Sequence, residues 1–262
     1  MKNRRKRFDT SRWHHINNSM EQYTVSARGK TLEESIETFL AESFSSLEGK
    51  IDSVFGFADY TPLYGGRPFY GEELSDADVR FLYGKRIGIR LPLTNGYLTP
   101  KIWESQIDFL EKFHKKGNSV ITVNDEFARF VKEEFPLYQV ELSVIREIKS
   151  LDEISAALEL YDTVVLHGKW NVSEELAKIP EKGRIRLFLT TGCGYNCPAK
   201  ICYASFSKYN LSLSGEVKCS VSKLERQQLG MISFEARPFI EKGFSKFKVV
   251  RLISNNVVPP IF

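Results

Sequence analysis

Eight short runs rich in apolar and β-branched residues alternate with stretches of helical periodicity along most of the chain. This alternation is typical of βα units, which build parallel sheets covered by helices. We predict strands over residues 23–27, 53–58, 86–91, 119–123, 139–143, 163–167, 184–189 and 246–252. Eight such strands close naturally into an α/β fold of the (β/α)8 TIM-barrel type, complete or distorted. The alternative is a doubly wound open sheet, but no glycine-rich phosphate loop follows any of the runs.

Amphipathic helices are expected between the strands. Trp103, Ile107, Leu110 and Phe113 recur at the spacing of one buried helix face, and Pro100 stands where a first helical turn begins. Helices are predicted over residues 32–47, 101–116, 125–134, 151–160, 173–178 and 234–242. The 262 residues fit one barrel, for which about 250 is typical. We therefore predict a single barrel over residues 21–262.

The first 20 residues are predicted to form a flexible basic arm, because five of the first seven are Lys or Arg. No apolar segment of the signal-peptide type follows, and no apolar run approaches the ~18 residues of a membrane span. We expect a cytoplasmic protein with no membrane partner. The arm is either a solvated tail or a segment that contacts nucleic-acid phosphates.

Two connections are long for a barrel: residues 59–83, which are rich in aromatic side chains, and residues 190–233. Long connections of this kind are often functional. Both follow predicted strands, so both belong at the carboxyl end of the barrel, where barrel enzymes carry their active sites.

All four cysteines of the chain lie in the second connection, at Cys193, Cys197, Cys202 and Cys219. Clustered thiolates bind soft or borderline metals, so a [4Fe–4S] cluster and a structural zinc held by four cysteines are both candidates, beside thiols that bind nothing. The intervals hold three, four and sixteen residues and contain no CxxC pair. Zinc sites usually contain such pairs, so the spacing favours the iron–sulfur cluster.

Other reaction classes fit less well. Radical S-adenosylmethionine enzymes carry a CxxxCxxC loop after the first strand, whereas this loop follows the seventh strand with a CxxxCxxxxC spacing. The sequence contains no HExxH motif, and no Ser-His-Asp arrangement can be assembled, so proteolysis is not expected.

Several segments resemble the U32 peptidase-like family. Residues 51–57 with the Tyr64-Gly-Gly-Arg67 turn are similar to the family's GADAVYVG strand and its following YGAR-like turn. Residues 118–124, ahead of residues 130–136, are similar to its strand and helix ending in Phe-Pro. Residues 239–251 are similar to its closing strand, with a "fKIeGR" pattern. Residues 188–193 depart from the family's "E.fvHG.lC" segment and lack its glutamate and histidine.

The resemblance implies a barrel with a cysteine-bound iron–sulfur cluster, and it is strongest for the small single-barrel branch typified by paired ubiquinone-hydroxylation proteins. It implies a protein that assists an oxygen-independent hydroxylation of RNA or of an aromatic or quinone-like small molecule. A heterodimer with a related barrel protein is the implied partner. The alternative that remains is a non-catalytic binding or scaffold protein with a structural zinc.

Four further residues are candidates for catalysis because they are expected near strand ends at the barrel mouth: Asp59, Arg90, His167 and Arg251. His167 would serve as a proton donor near neutral pH. The guanidinium groups of Arg90 and Arg251 would suit a carboxylate, which arginine binds with two parallel hydrogen bonds. Ion pairing at the rim and a simple hydrogen-bonded rim histidine are the structural alternatives.

Overall fold

The computed structural model of the protein describes residues 21–197, 199–222, 225 and 230–251. The predicted basic arm over residues 1–20 lies outside the described residues, as do Leu252 at the end of the last predicted strand and Pro198 in the cysteine loop.

Eight parallel strands close into a barrel, as predicted. In chain order they are β1 (Gln22–Ser26), β2 (Ile51–Phe55), β3 (Gly88–Pro92), β4 (Ser119–Thr122), β5 (Gln139–Leu142), β6 (Thr163–Val165), β7 (Ile185–Phe188) and β10 (Lys246–Val249). Each strand pairs with its neighbours in sequence order, and β10 closes the ring by pairing with both β7 and β1. All eight predicted strands are therefore present, each shifted or shortened by a few residues.

A two-stranded antiparallel ribbon lies outside the barrel sheet. It joins β8 (Thr190–Thr191) to β9 (Ile232–Ser233), and these strands mark the two ends of the cysteine-bearing connection. The strands are too short to leave a two-residue period in the sequence. The sequence therefore does not predict these two strands.

Helices alternate with the strands around the barrel. They are α1 (Ile36–Ser43), α2 (Asp76–Gly84), α3 (Pro100–Glu104), α4 (Ile107–Lys112), α5 (Asp125–Glu134), α6 (Leu151–Leu160), α7 (Cys202–Ser212) and α8 (Arg237–Glu241). The bounds of α5 and α6 are as predicted, because Asn124 and Ser150 accept hydrogen bonds from the first-turn amides and fix the starts. Residues 174–178 form a short 3-10 helix in place of the predicted α-helix.

Three helix predictions need correction. The helix expected over residues 32–47 begins only at Ile36, since Ser35 caps it by accepting from Thr38 N. The helix expected over residues 101–116 is split into α3 and α4 at Ser105 and Gln106. Residues 234–242 contain only the five-residue α8.

Two helices lie where long connections were predicted. The stretch 59–83 contains most of α2, which starts with a capping box between Ser75 and Asp78 and buries Val79 and Leu82. The stretch 190–233 contains α7, which starts at Cys202. Helix α2 opens with charged residues and α7 has weak apolar periodicity, so neither sequence stands out from a loop.

No helix among the described residues is long and apolar enough to cross a membrane.

Candidate cysteine site at the barrel mouth

The connection that carries the cysteines is attached to the barrel at both ends. Leu189 N donates to Lys248 O of β10 at 2.9 Å, and Phe234 N donates to Leu189 O at 2.7 Å. The Thr190 hydroxyl also bonds both backbone groups of Val250, at 2.7 and 2.6 Å. The connection therefore leaves and rejoins the carboxyl end of the barrel at nearly the same place.

Three of the cysteines lie on one compact turn and the helix that follows it. The turn is closed by hydrogen bonds from Tyr195 N to Gly192 O and from Cys197 N to Cys193 O, each 3.0 Å long. Cys202 is the first residue of α7. Local backbone hydrogen bonds thus place Cys193, Cys197 and Cys202 within one loop of the mouth.

Cys219 joins this loop through its chain neighbours. The Ser205 hydroxyl on α7 donates to Glu216 O at 3.2 Å and accepts from Lys218 N at 2.7 Å. Ser220 Oγ lies 3.3 Å from Cys197 Sγ. The sixteen-residue interval therefore folds back, so that the residue after Cys219 contacts Cys197.

The thiols influence one another electrostatically. Burial raises the pKa of Cys202 to about 11, and the charges of Cys219, Cys197 and Cys193 contribute to this rise. Burial also acts to raise the pKa of Cys197, but hydrogen bonds from Ser220 and from two backbone amides outweigh it, so this pKa is below its ordinary value. The Cys197 thiol therefore ionises more readily than the Cys202 thiol.

The donor set suits a group that binds several sulfurs. Four thiols without oxygen ligands are the donors of an iron–sulfur cluster or of zinc. Among the residues that the structure describes, no three His, Cys, Asp or Glu side chains are arranged around the position of a single metal ion. A [4Fe–4S] cluster distributes its ligands over four iron atoms, so it accepts thiols that neighbour one another without meeting at one point.

Helix α7 spans the mouth and is held there by a buried asparagine. Asn210 donates to Tyr64 O and Arg67 O at 3.0 and 2.9 Å, and its carbonyl accepts from Phe69 N at 2.8 Å. On the preceding turn, the Ser207 carbonyl accepts from the Asn95 amide at 2.8 Å. The helix that begins with a cysteine is therefore fixed to the connections that follow β2 and β3.

His167 supports the cysteine turn. Its Nδ1 accepts from Lys169 N at 3.2 Å, so Nε2 carries the hydrogen and lies 3.4 Å from Gly194 O. Its ring stacks on Tyr195 with centroids 5.4 Å apart. Burial, and then the charge of Lys200, lower the pKa of His167. The position at the mouth is as predicted, and the neutral ring orients the turn between two of the cysteines; a proton-donor role stays a prediction.

Two adjoining cavities lie beside the cysteine turn. One of about 390 Å³ is lined by Cys197, Asn196, Tyr203 and others, and the second, of about 370 Å³, by His167, Trp170, Lys149 and others. Glu147, Lys169 and Lys200 line both cavities.

An ion pair between Glu147 and Lys200 forms part of this shared wall. Both residues have left-handed backbone, with φ of 50° and 49°. Such conformations are strained for residues other than glycine and tend to occur at functional sites. Burial acts to raise the pKa of Glu147, but the hydrogen bond and charge of Lys200 outweigh it and hold that pKa below its ordinary value. Sequence reasoning missed this pair, because its members are 53 residues apart.

Arg90 does not lie at the mouth. The prediction that it stands near the end of its strand is wrong, because β3 continues to Pro92 and leaves Arg90 at its centre. The side chain is 1% exposed and forms an ion pair with Glu141 of β5, inside the barrel. Arg186 of β7 lies 3.8 Å from the same carboxylate. Arg90 thus belongs to a charged layer within the barrel interior.

Asp59 and Arg251 do follow strand ends, but neighbouring helices hold both side chains. The Asp59 carboxylate accepts from Lys112 at the end of α4 at 2.6 Å. The Arg251 guanidinium lies over the Phe39 ring of α1, 5.4 Å from its centroid. Neither residue contacts the cysteine turn through these interactions, and their predicted catalytic roles stay predictions.

Comparisons with known proteins agree with this fold. No family model matches the chain, and no curated protein matches it. A solved structure described as that of the U32 peptidase Mk0906 superposes with a TM-score of 0.62 at 13% identity, over 98% of each chain. Fold and site together define a closed (β/α)8 barrel that carries four cysteines in the connection at its carboxyl end. At this identity the likeness establishes the fold alone.

Proposed function

We propose that the protein is a U32-like iron–sulfur protein that assists an oxygen-independent hydroxylation. In this proposal Cys193, Cys197, Cys202 and Cys219 hold a [4Fe–4S] cluster. The substrate is RNA or an aromatic or quinone-like small molecule. A related barrel protein would be the partner in a heterodimer.

The main support is the position of the cysteine turn at the barrel mouth and the return of the chain toward it. The contact of Ser220 with Cys197 places the residue after Cys219 beside this turn, which supports a site that includes Cys219. A cluster bound by these thiols would lie beside the 390 Å³ cavity, since Cys197 is part of its lining. A substrate in that cavity would therefore be next to the group that supplies the redox chemistry.

The cluster would supply electron transfer, and the chain's own residues supply orientation. His167 and Tyr195 hold the turn between Cys193 and Cys197 by stacking and through the Gly194 carbonyl. Burial raises the pKa of Tyr203, so its phenol stays protonated in the cavity wall. The phenol is thus available as a hydrogen-bond donor to a bound substrate.

The lining of the two cavities suits a substrate with a planar and an anionic part. Lys149 and Lys169 contribute positive charge, Lys200 is paired with Glu147, Glu175 contributes a negative charge, and Trp170 contributes an aromatic wall. Positive charge beside aromatic surface is common in sites that bind nucleotides, and the same surface suits acidic ring compounds. This combination supports both substrate classes of the proposal.

The first test is the metal and sulfide content of protein purified without oxygen. The proposal predicts about four iron and four sulfide per chain, with a broad absorption near 400 nm. Cys193→Ala should lose the band, whereas Ser214→Ala, an exposed position of the same connection, should keep it. One zinc per chain, or no metal in either protein, would overturn the proposal and favour the binding or scaffold alternative.

A cluster-loaded protein is then tested for activity, alone and with its co-purified partner. Hydroxylated nucleosides in bulk RNA and hydroxylated ring compounds in lipid extracts are compared between cells with and without the parent chain. Loss of one hydroxylated product, with rescue by Ser214→Ala and not by Cys193→Ala, is the expected result. Unchanged products in both pools would remove the hydroxylation assignment.

A further inference from the structure

Lys248 lies on the inner face of the barrel, near its carboxyl end. In register it is opposite Thr24 of β1 and Phe188 of β7. Because side chains alternate along a strand, Lys246 and Lys248 face the interior, and Lys246 reaches Thr163 of β6 at 3.0 Å. Lys248 is one layer nearer the mouth than Lys246.

The ammonium group of Lys248 is enclosed by aromatic rings. It lies 3.8 Å from the centroid of Phe55 and 5.1 Å from that of Phe188. The residue is 8% exposed. Within the described part of the chain, no carboxylate lies within ion-pair distance of this ammonium group. Aromatic rings attract a cation, but they do not neutralise its charge.

The charges that act on Lys248 are all positive. Burial lowers its pKa well below the ordinary value, and Arg90, Arg186 and Arg67 lower it further. Of the carboxylates nearby, Glu73 pairs with Arg67 and Glu141 is shared by Arg90 and Arg186. The charge of Asp52 acts on Arg90, Arg186 and Lys246. The upper barrel interior therefore carries a surplus of positive charge.

A buried charge without a partner is unfavourable, so natural proteins pair such charges or use them. Strongly perturbed lysines near a barrel mouth are candidates for functional sites. The positive surplus would attract an anion, and the flanking rings provide an apolar surface beside it. This surrounding suits a ligand that has an anionic part and an apolar part.

We propose that Lys248 binds the oxyanion of a ligand, a carboxylate or a phosphate, whose apolar or aromatic part packs on Phe55 and Phe188. The site is formed by β2, β7 and β10, so it does not depend on a cluster at the cysteines. It goes beyond the proposed hydroxylation by adding a second point of attachment inside the barrel.

The test uses the full chain with two probes, sodium benzoate and inorganic phosphate, each against a sodium chloride background of matched ionic strength. Calorimetric titration and the melting temperature report binding. The parent is compared with Lys248→Met, and the matched control is Lys246→Met on the same strand face. One probe should bind saturably to the parent and the control, and at least about tenfold more weakly to Lys248→Met.

The outcomes separate the possible sources of the anion. Binding of benzoate indicates an aromatic carboxylate, and binding of phosphate alone indicates a phosphate ester. No binding of either probe to the parent, or equal binding to Lys248→Met, would overturn the proposal. Repeating the titration with Cys193→Ala distinguishes the two proposals, because anion binding should persist in this variant even where no cluster forms.

A second measurement covers the case in which Lys248→Met does not fold. The parent is treated with limiting acetic anhydride, and acetylation of each lysine is mapped by mass spectrometry. The bound anion should slow acetylation of Lys248 severalfold and leave Lys101, an exposed lysine, unchanged. Equal slowing at both lysines, or none at Lys248, would contradict the site.

Discussion

The two long connections at the barrel mouth differ in what holds them. The connection after β2 buries Phe57, Tyr64 and Phe69, whose rings contact one another with centroids 4.4 to 5.8 Å apart. In the connection after β7, Tyr195 is the only fully buried apolar side chain among the described residues of 192–222. The other contacts that hold this connection in place are polar, chiefly the hydrogen bonds of Asn210. The first connection has a cluster of buried rings in mutual contact, whereas the described residues 192–222 of the second contribute one buried ring.

The two connections differ in what stabilises them. Apolar burial contributes about 25 cal/mol per Å² without any ligand, so the first connection forms a stable support. Polar contacts contribute much less net free energy each. The cysteine connection therefore depends on the first connection and, in the proposal, on the cluster that its four thiols would hold.

Truncation of the aromatic core should have the largest effect. Tyr64→Ala removes a fully buried ring and a hydroxyl that accepts from Ala58 N, and it should lower the free energy of unfolding by about 3–5 kcal/mol. Urea denaturation followed by fluorescence measures this loss. Tyr70→Ala, at a ring that is 75% exposed, is the control and should change little. Similar losses for the two variants would mean that the first connection is not the support.

Removal of the link between the connections should have the next largest effect. Asn210→Ala leaves Tyr64 O, Arg67 O and Phe69 N without their partner, which should cost about 2–3 kcal/mol. Hydrogen exchange should rise in α7 more than in the barrel strands. Ser212→Ala on the same helix, at an exposed position, is the control. Unchanged exchange in α7 would show that this helix is held by other contacts.

Crowding under the cysteine turn should have a smaller effect. A Cβ on Gly168 would lie 2.8 Å from the Tyr195 ring, closer than side chains pack, so Gly168→Ala must displace the ring. We expect a loss of about 1–2 kcal/mol and faster reaction of Cys193 and Cys197 with a thiol reagent. Gly183→Ala, where a Cβ would meet nothing within 4 Å, should react at the parent rate. Unaltered thiol reactivity in Gly168→Ala would show that Tyr195 does not hold the cysteine turn in place.

Acid should weaken the first connection by the smallest amount. Burial acts to raise the pKa of Asp78, but bonds from Lys30, Ser75 N and Ile36 N outweigh it and hold the pKa below its ordinary value. The stabilisation that comes with a lowered folded-state pKa is fully present above the unfolded pKa of about 3.9 and is lost as pH falls toward the folded value.

Urea midpoints between pH 5 and pH 3 measure this loss. Asp78→Asn should be less stable than the parent at pH 5 and show a shallower fall below pH 4. Asp108→Asn on α4 is the control. A parent and an Asp78→Asn variant with parallel pH profiles would remove Asp78 as the cause.

The sequence predicts the barrel well because its strands are buried on both sides and leave continuous apolar runs. It predicts α5 and α6 to the residue because Asn124 and Ser150 mark their starts. Helix α2 was missed, since its charged sequence hides the buried positions Val79 and Leu82.

The candidate site was predictable only in part. The four cysteines stand out by type and clustering, whereas their approach depends on Ser205 and Ser220, which resemble any loop serine in sequence. Arg90 was misplaced because its side chain lies inside the barrel and pairs with Glu141 of a strand that is distant in sequence. The ion pair between Glu147 and Lys200 joins segments that are distant in sequence, so it could not be predicted from the sequence.

The most direct test of the central claim is iron X-ray absorption on protein purified without oxygen. If the four thiols hold one cluster, the spectrum should show sulfur neighbours around iron and a second shell of iron neighbours. Cys219→Ala should reduce the sulfur shell, and Ser214→Ala should leave it intact. A zinc edge with a single sulfur shell, or a sulfur shell around iron that does not change in Cys219→Ala, would contradict a cluster shared by all four cysteines.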